Sequence, residues 1–98
     1  MQEPIEETQE GLTVTVCVAN DQGLHARPAA RLAQEAQKFG AELFLAMDGT
    51  EVDAKSILDI LSLAAAKGAR LTLRGVGGDA RHALEHLSAL FRNRFREE

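Results

Sequence analysis

From Leu12 to Val18, apolar and polar side chains take turns: Leu12, Val14, Val16 and Val18 against Thr13, Thr15 and Cys17. A period of two puts the valines on one face, so the pattern predicts a half-buried strand over about 12–18, with Cys17 on the opposite face as a small strand residue. The polar turn Asn20-Asp21-Gln22-Gly23 follows. The period then changes. Ala29, Leu32, Ala33, Ala36 and Phe39 share one helical face, while Arg31, Gln34, Glu35 and Lys38 lie elsewhere, predicting a helix over about 26–39. Pro28 is acceptable in its first turn, and Gly40 is placed to stop it.

The alternation returns at Leu43, Leu45 and Met47, runs into the hairpin signal Asp48-Gly49, and predicts a short return strand, Thr50–Asp53. Ser56 with Asp59 three residues later fits a capping box, and Ile57, Ile60, Leu61, Ala64 and Ala65 carry a helical stripe towards Gly68. Leu71 and Leu73 mark a strand over about 70–76. Asp79 can cap a last helix, whose stripe runs Ala80, Ala83, Leu84, Leu87, Leu90, Phe91 and Phe95. The predicted order is β-α-β-β-α-β-α. Alternating strands need one face covered, and each helix has one apolar stripe. The expected fold is therefore α+β: a two-layer open-faced sandwich, with a four-stranded antiparallel sheet and three helices on one face.

Composition narrows the class. Ninety-eight residues, 45% of them hydrophobic, suffice for one domain with its own core. No apolar run reaches membrane-spanning length, and the start of the chain lacks a signal peptide's features, so membrane insertion is not expected and a cytoplasmic location is. The single cysteine fits a reducing compartment. The net charge of −4 comes from Glu3, Glu6, Glu7 and Glu10; the remainder is balanced. Residues 1–10 are accordingly read as a disordered acidic tail, and 11–98 as the folded domain. A balanced domain without tryptophan or tyrosine offers neither a basic face nor stacking platforms for nucleic acid.

The candidate chemistry lies where the first strand hands over to the first helix, at Gly23-Leu24-His25-Ala26-Arg27-Pro28-Ala29. A neutral imidazole has one nitrogen lone pair that can attack phosphorus. A helix start supplies N–H groups and positive dipole for the resulting anion, and Arg27 adds a charged fork. The helix start at Ala26 and Arg27 is thus a phosphate-binding candidate. A plain capping or surface histidine is the blander alternative. A second motif, His82-Ala83-Leu84-Glu85-His86, matches a zinc-binding pattern. Only twelve residues follow His86, too few for the remaining ligand and fold of such an enzyme, so no metal is expected.

The seven-residue motif resembles the active-site signature of the histidine-containing phosphocarrier (HPr) family of the phosphoenolpyruvate-dependent sugar phosphotransferase system. The Asp48-Gly49 turn, the stretch Ala54-Lys55-Ser56-Ile57-Leu58 and the element order resemble it too, over about residues 12–91. The resemblance implies that His25 is phosphorylated on Nδ1 by phosphorylated enzyme I, and that the acceptors are IIA components of sugar permeases. Arg27 would steady the phosphoryl group. Ile57, Leu58 and Leu61 would dock partners, Leu58 being the most exposed because it falls off the apolar stripe. The chain would be a carrier, a phosphotransferase component working through phosphohistidine without a cofactor, and a monomer. Ser56 is a possible regulatory site for an HPr kinase, against which stands the Asp59 carboxylate one turn away. Two alternatives remain: a regulatory carrier of a nitrogen-related or signalling branch, and an α+β interaction domain without phosphoryl chemistry. The basic C-terminal stretch from Phe91 is longer than is usual in the family, and is either a solvated extension or an added partner contact.

Overall fold

The computed structural model describes residues 4–96. Along the chain run β1 (Glu6–Thr8), β2 (Gly11–Cys17), α1 (Ala26–Ala36), β3 (Glu42–Met47), β4 (Thr50–Asp53), α2 (Ile57–Ser62), β5 (Arg70–Val76), α3 (Ala80–Arg92) and a short 3₁₀ turn, Arg94–Arg96. The strands form one antiparallel sheet in the order β1-β2-β5-β3-β4. Its register brings the apolar alternations together: Val14 faces Leu73, Val16 faces Leu71, and Leu45 faces Leu73 from the other side. These side chains are buried and share a single core with Leu32 and Ala36 of α1, Ile60 of α2, and Leu84, Leu87 and Phe91 of α3. The hairpin between β3 and β4 turns at Asp48 and Gly49, both at positive φ (52° and 83°), which matches the twist of the flanking strands.

The sheet has five strands, not four. The added strand lies within the segment read as a disordered tail: Glu6 pairs with Thr13 and Thr8 with Gly11. The Thr8 hydroxyl donates to the Gly11 carbonyl (2.9 Å) and accepts from the Glu10 N–H (3.1 Å), closing the turn. Ile5 packs against the core, and Arg74 of β5 donates to the Glu10 carbonyl (2.6 Å). None of this shows as alternation, because β1 is held by its neighbour's backbone and its own side chains are exposed. Met1, Gln2 and Glu3 lie outside the described residues.

Other boundaries differ where long-range bonds outweigh local pattern. The first helix ends at Ala36, three residues before Phe39, and Gly40 does not act as a left-handed stop. The Gly40 and Ala41 N–H groups instead donate to the Asp79 carboxylate (2.9 and 2.8 Å), so Asp79 ties two loops together and makes no side-chain cap on α3. The bond from the Gly40 N–H is the main cause holding the Asp79 carboxyl below its ordinary range. The second helix stops at Ser62, well short of Gly68, and Ala64 turns left-handed (φ 53°).

Glu35, placed off the apolar face by its spacing, is only 8% exposed. Its carboxylate meets Lys38 Nζ at 2.9 Å, His86 Nε2 at 2.6 Å and Arg31 Nε at 3.5 Å, linking α1 to α3. Hydrogen bonds from Lys38 and then His86 lower its pKa to about 2. A depressed carboxyl pKa stabilises the fold above the unfolded value, and that stabilisation is lost as pH falls from about 5 to about 2. With partly exposed partners it is worth roughly 1–3 kcal/mol. In pH-dependent unfolding, Glu35→Gln is expected to flatten the acid limb, the two stability curves converging near the low end.

Candidate functional site

Three local facts place His25. The Gly23 N–H bonds the Asn20 carbonyl (2.9 Å), closing the turn before it, and the Leu24 N–H bonds the Ala65 carbonyl beyond α2 (2.9 Å). Gly23 itself has φ +72°, and a Cβ there would stand 2.5 Å from the Ala65 oxygen. The early end of α2 is therefore part of the site: the unwound chain presents the carbonyl that fixes the approach to His25.

His25 is the N-cap of α1, in extended conformation (φ −77°, ψ −169°), and its side chain makes no capping bond. Its carbonyl accepts the Ala29 N–H (3.0 Å) and Pro28 has no N–H, so Ala26 and Arg27 carry the donors that the helix itself leaves over. The ring is half-buried, while Ala26 and Arg27 are exposed. His25 and Arg27 line one open cleft of about 520 Å³, whose floor includes Asn20 and Gln22.

The rest of the lining comes from the C-terminal stretch. Arg94, Phe95 and Arg96 line the same cleft. The spacing from Phe91 to Phe95 predicts a further helical turn; instead α3 ends at Arg92, and residues 94–96 all take positive φ (53°, 53° and 62°). Phe95 still reaches the core, 6% exposed and edge-on to Phe91 with ring centroids 4.9 Å apart. Asn20 Nδ2 donates to the Arg94 carbonyl (2.8 Å), joining this turn to the loop before His25. On the rim, Asp21 pairs with Lys67 (2.8 Å); that bond chiefly lowers the Asp21 pKa, and the charge of Arg94 adds to the effect.

The other residues singled out in the sequence lie outside this cleft. Ser56 caps α2, its Oγ accepting the Asp59 N–H (3.2 Å), but the box is half made: the Asp59 carboxylate accepts from the Asp53 N–H (3.3 Å). Lys55 donates to the Phe39 carbonyl (2.8 Å) below α1. Leu58 is 79% exposed and Ile57 38%, with Leu61 half-buried against the core. In the zinc-like motif, His82 and His86 both flank the Phe39 ring at 5.7 Å, and His86 is bonded to Glu35. Among the described residues, no group of three His, Cys, Asp or Glu is placed to hold a metal ion. Nor is any helix there long and apolar enough to cross a membrane. Arg94 and Arg96 are absent from the sequence-based site because a left-handed turn brings them to it, and Asn20 because its bond to that turn spans the length of the chain.

A family model described as the PTS HPr component phosphorylation site matches residues 12–93. The chain belongs to the HPr phosphocarrier family. The phosphocarrier protein HPr of Treponema pallidum is 43% identical over 84 residues, covering 86% of this chain and 96% of the relative. The crystal structure of HPr-C-His from Thermoanaerobacter tengcongensis superposes with a TM-score of 0.84 at 40% identity, covering 88% of this chain and 97% of that one. A protein named phosphocarrier protein NPr, from Escherichia coli, is 40% identical over 85 residues, covering 86% of this chain and 94% of the relative. The HPr match takes in the Gly23–Ala29 motif and all of α3, and stops short of the left-handed turn.

Proposed function

We propose that this chain carries a phosphoryl group on His25 Nδ1, taking it from phosphorylated enzyme I and passing it to IIA components of sugar permeases. The observation that carries the reading is a histidine at the N-cap of α1 whose ring does not cap the helix, opening with Arg27 on a cleft. The Nδ1 lone pair attacks phosphorus, the donor's N–P bond breaks with its electron pair returning to the donor nitrogen, and the proton on Nε2 stays in place. Transfer to the acceptor repeats the exchange in the opposite sense. The Ala26 and Arg27 N–H groups and the Arg27 guanidinium offset the charge of the bound phosphoryl group.

Leu58 and Ile57 serve as the apolar contact for partners, and Leu61 supports them from beneath. The protein works as a cytoplasmic monomer, with a single core under one sheet face. Ser56 enters as a helix cap: a phosphate there would stand beside Asp59, whose N–H it already bonds. The likeness to NPr supports a second reading, in which the same chemistry serves a regulatory branch.

With phosphoenolpyruvate and enzyme I, the protein is expected to gain one acid-labile phosphate, mapped to His25 by tandem mass spectrometry. No label, or a label elsewhere, overturns the proposal, and the absence of any label returns the chain to a plain interaction domain. Faster labelling by an enzyme I of a regulatory branch than by that of the sugar branch selects the second reading.

A further inference from the structure

The cleft holds more positive charge than the motif accounts for. Arg27 enters it from α1, and Arg94 and Arg96 enter it from the turn that follows α3. Among the described residues that line it, Asp21 is the one acidic side chain, and it is engaged by Lys67 at 2.8 Å.

The turn is built at a cost. Three consecutive non-glycine residues at positive φ are disfavoured by the Cβ of each, and such a conformation persists only where surrounding bonds over-determine it. Two separate anchors do so here: Phe95 is buried against Phe91, and Asn20 holds the Arg94 carbonyl (2.8 Å). Between these anchors the two arginine side chains remain exposed, one on each side of Phe95. A fold needing only to bury Phe95 has no use for guanidinium groups beside it, whereas a site for a dianion does.

We propose that Arg94 and Arg96 complete an arginine clamp with Arg27, which holds the phosphoryl group on His25 and lowers the free energy of the phosphorylated form. This rests on the carrier reading and deepens it, naming two positioning residues for the same anion. The clamp adds no bond-making step. It supplies fixed positive charge and planar donors from a second segment lining the same cleft. Because the charges are exposed, the effect weakens as salt rises.

The test compares the full chain with R94Q/R96Q, with R94K/R96K and with R92Q. Arg92 is exposed in the last turn of α3, lies near Ser88 Oγ at 3.5 Å, and does not line the cleft, so R92Q is the single-charge control: net charge alone predicts twice its free-energy effect in the double variant. Two quantities are read at low salt. One is the hydrolysis half-life and equilibrium yield of the phosphohistidine, made with enzyme I and phosphoenolpyruvate and followed by ³¹P NMR. The other is the affinity for inorganic phosphate, followed on the His25 ring resonances, which needs no enzyme I. For R94Q/R96Q the phosphorylation equilibrium constant and the phosphate affinity are each expected to fall about threefold or more, on the scale of two exposed charge contacts. R94K/R96K should recover most of this, and R92Q should match the parent. An additional R94G variant, which relieves the left-handed strain while removing the guanidinium, should unfold at higher temperature yet hold phosphate less well. If the protein is labelled on His25 but R94Q/R96Q and R92Q behave alike, the clamp is overturned and the carrier reading stands. If the protein takes no label while phosphate affinity still depends on Arg94 and Arg96, the carrier reading fails and the anion site remains. A free-energy loss in R92Q of half that in R94Q/R96Q, or more, would reduce the effect to net charge and also overturn the clamp.

Discussion

His25→Ala is expected to abolish acid-labile phosphorylation while leaving thermal unfolding within about 0.5 kcal/mol of the parent. Both halves follow from one geometry. Replacing a Ser, Thr, Asp or Asn N-cap by alanine ordinarily costs about 1 kcal/mol, because a side-chain bond to the first turn is lost. The His25 ring makes no such bond, and it is only half-buried. Removing it takes away the acceptor nitrogen without undoing a helix cap. Labelling with enzyme I, alongside denaturant unfolding of the same sample, checks the pair of outcomes. Residual label in His25→Ala would place the acceptor on another residue.

The second large effect is expected at Gly23. Gly23→Ala puts a Cβ 2.5 Å from the Ala65 carbonyl oxygen, in a backbone with φ +72°. Left-handed strain alone is worth about 1–2 kcal/mol, and a methyl group against main chain cannot be relieved by a side-chain rotation. A loss of roughly 2–4 kcal/mol follows, a large part of the stability of a small domain. The denaturant midpoint should fall with an unchanged slope. Gly49→Ala is the natural comparison: its φ is +83° and no atom stands within 4 Å of the new Cβ, so it carries the strain without the collision. Gly23→Ala should also slow labelling of His25, because separating Leu24 from Ala65 shifts the residue next to the reacting ring. Equal stability losses at the two glycines would show that the close approach to Ala65 contributes nothing.

Local pattern made the middle of the molecule legible. Val14, Val16, Leu71, Leu73 and Leu45 alternate in the sequence and pair in the sheet, because a strand half-covered on one face records that burial in every second residue. His25 and Arg27 were legible for a related reason: strand end, turn and helix start occupy seven consecutive residues. What escaped was set by distant partners. Glu35 reads as a surface residue until α3 brings His86 to it. Asp79 reads as a helix cap until the Gly40 and Ala41 N–H groups claim its carboxylate. Leu61, Ala64 and Ala65 read as one stripe, yet the chain unwinds so that Ala65 can meet Leu24. Phe95 reads as one more helical position and reaches the core by a left-handed turn that no periodicity encodes. Arg94 and Arg96 could not be assigned without that turn.

The strand added by Glu6–Thr8 changes what the sheet offers to other chains. Without it, the seven-residue β2 would end the sheet with a row of unpaired main-chain groups, a template for a foreign strand. With it, the border is three residues long and displays Glu6 and Glu7; the opposite border, the four-residue β4, displays Glu51 and Asp53. Two copies meeting at the β1 border would bring Glu6 and Glu7 against like charges over only three residues, whereas Glu51 on the β4 border is already paired with Arg74 at 2.7 Å. The short acidic border at β1 is a poor template for a further strand.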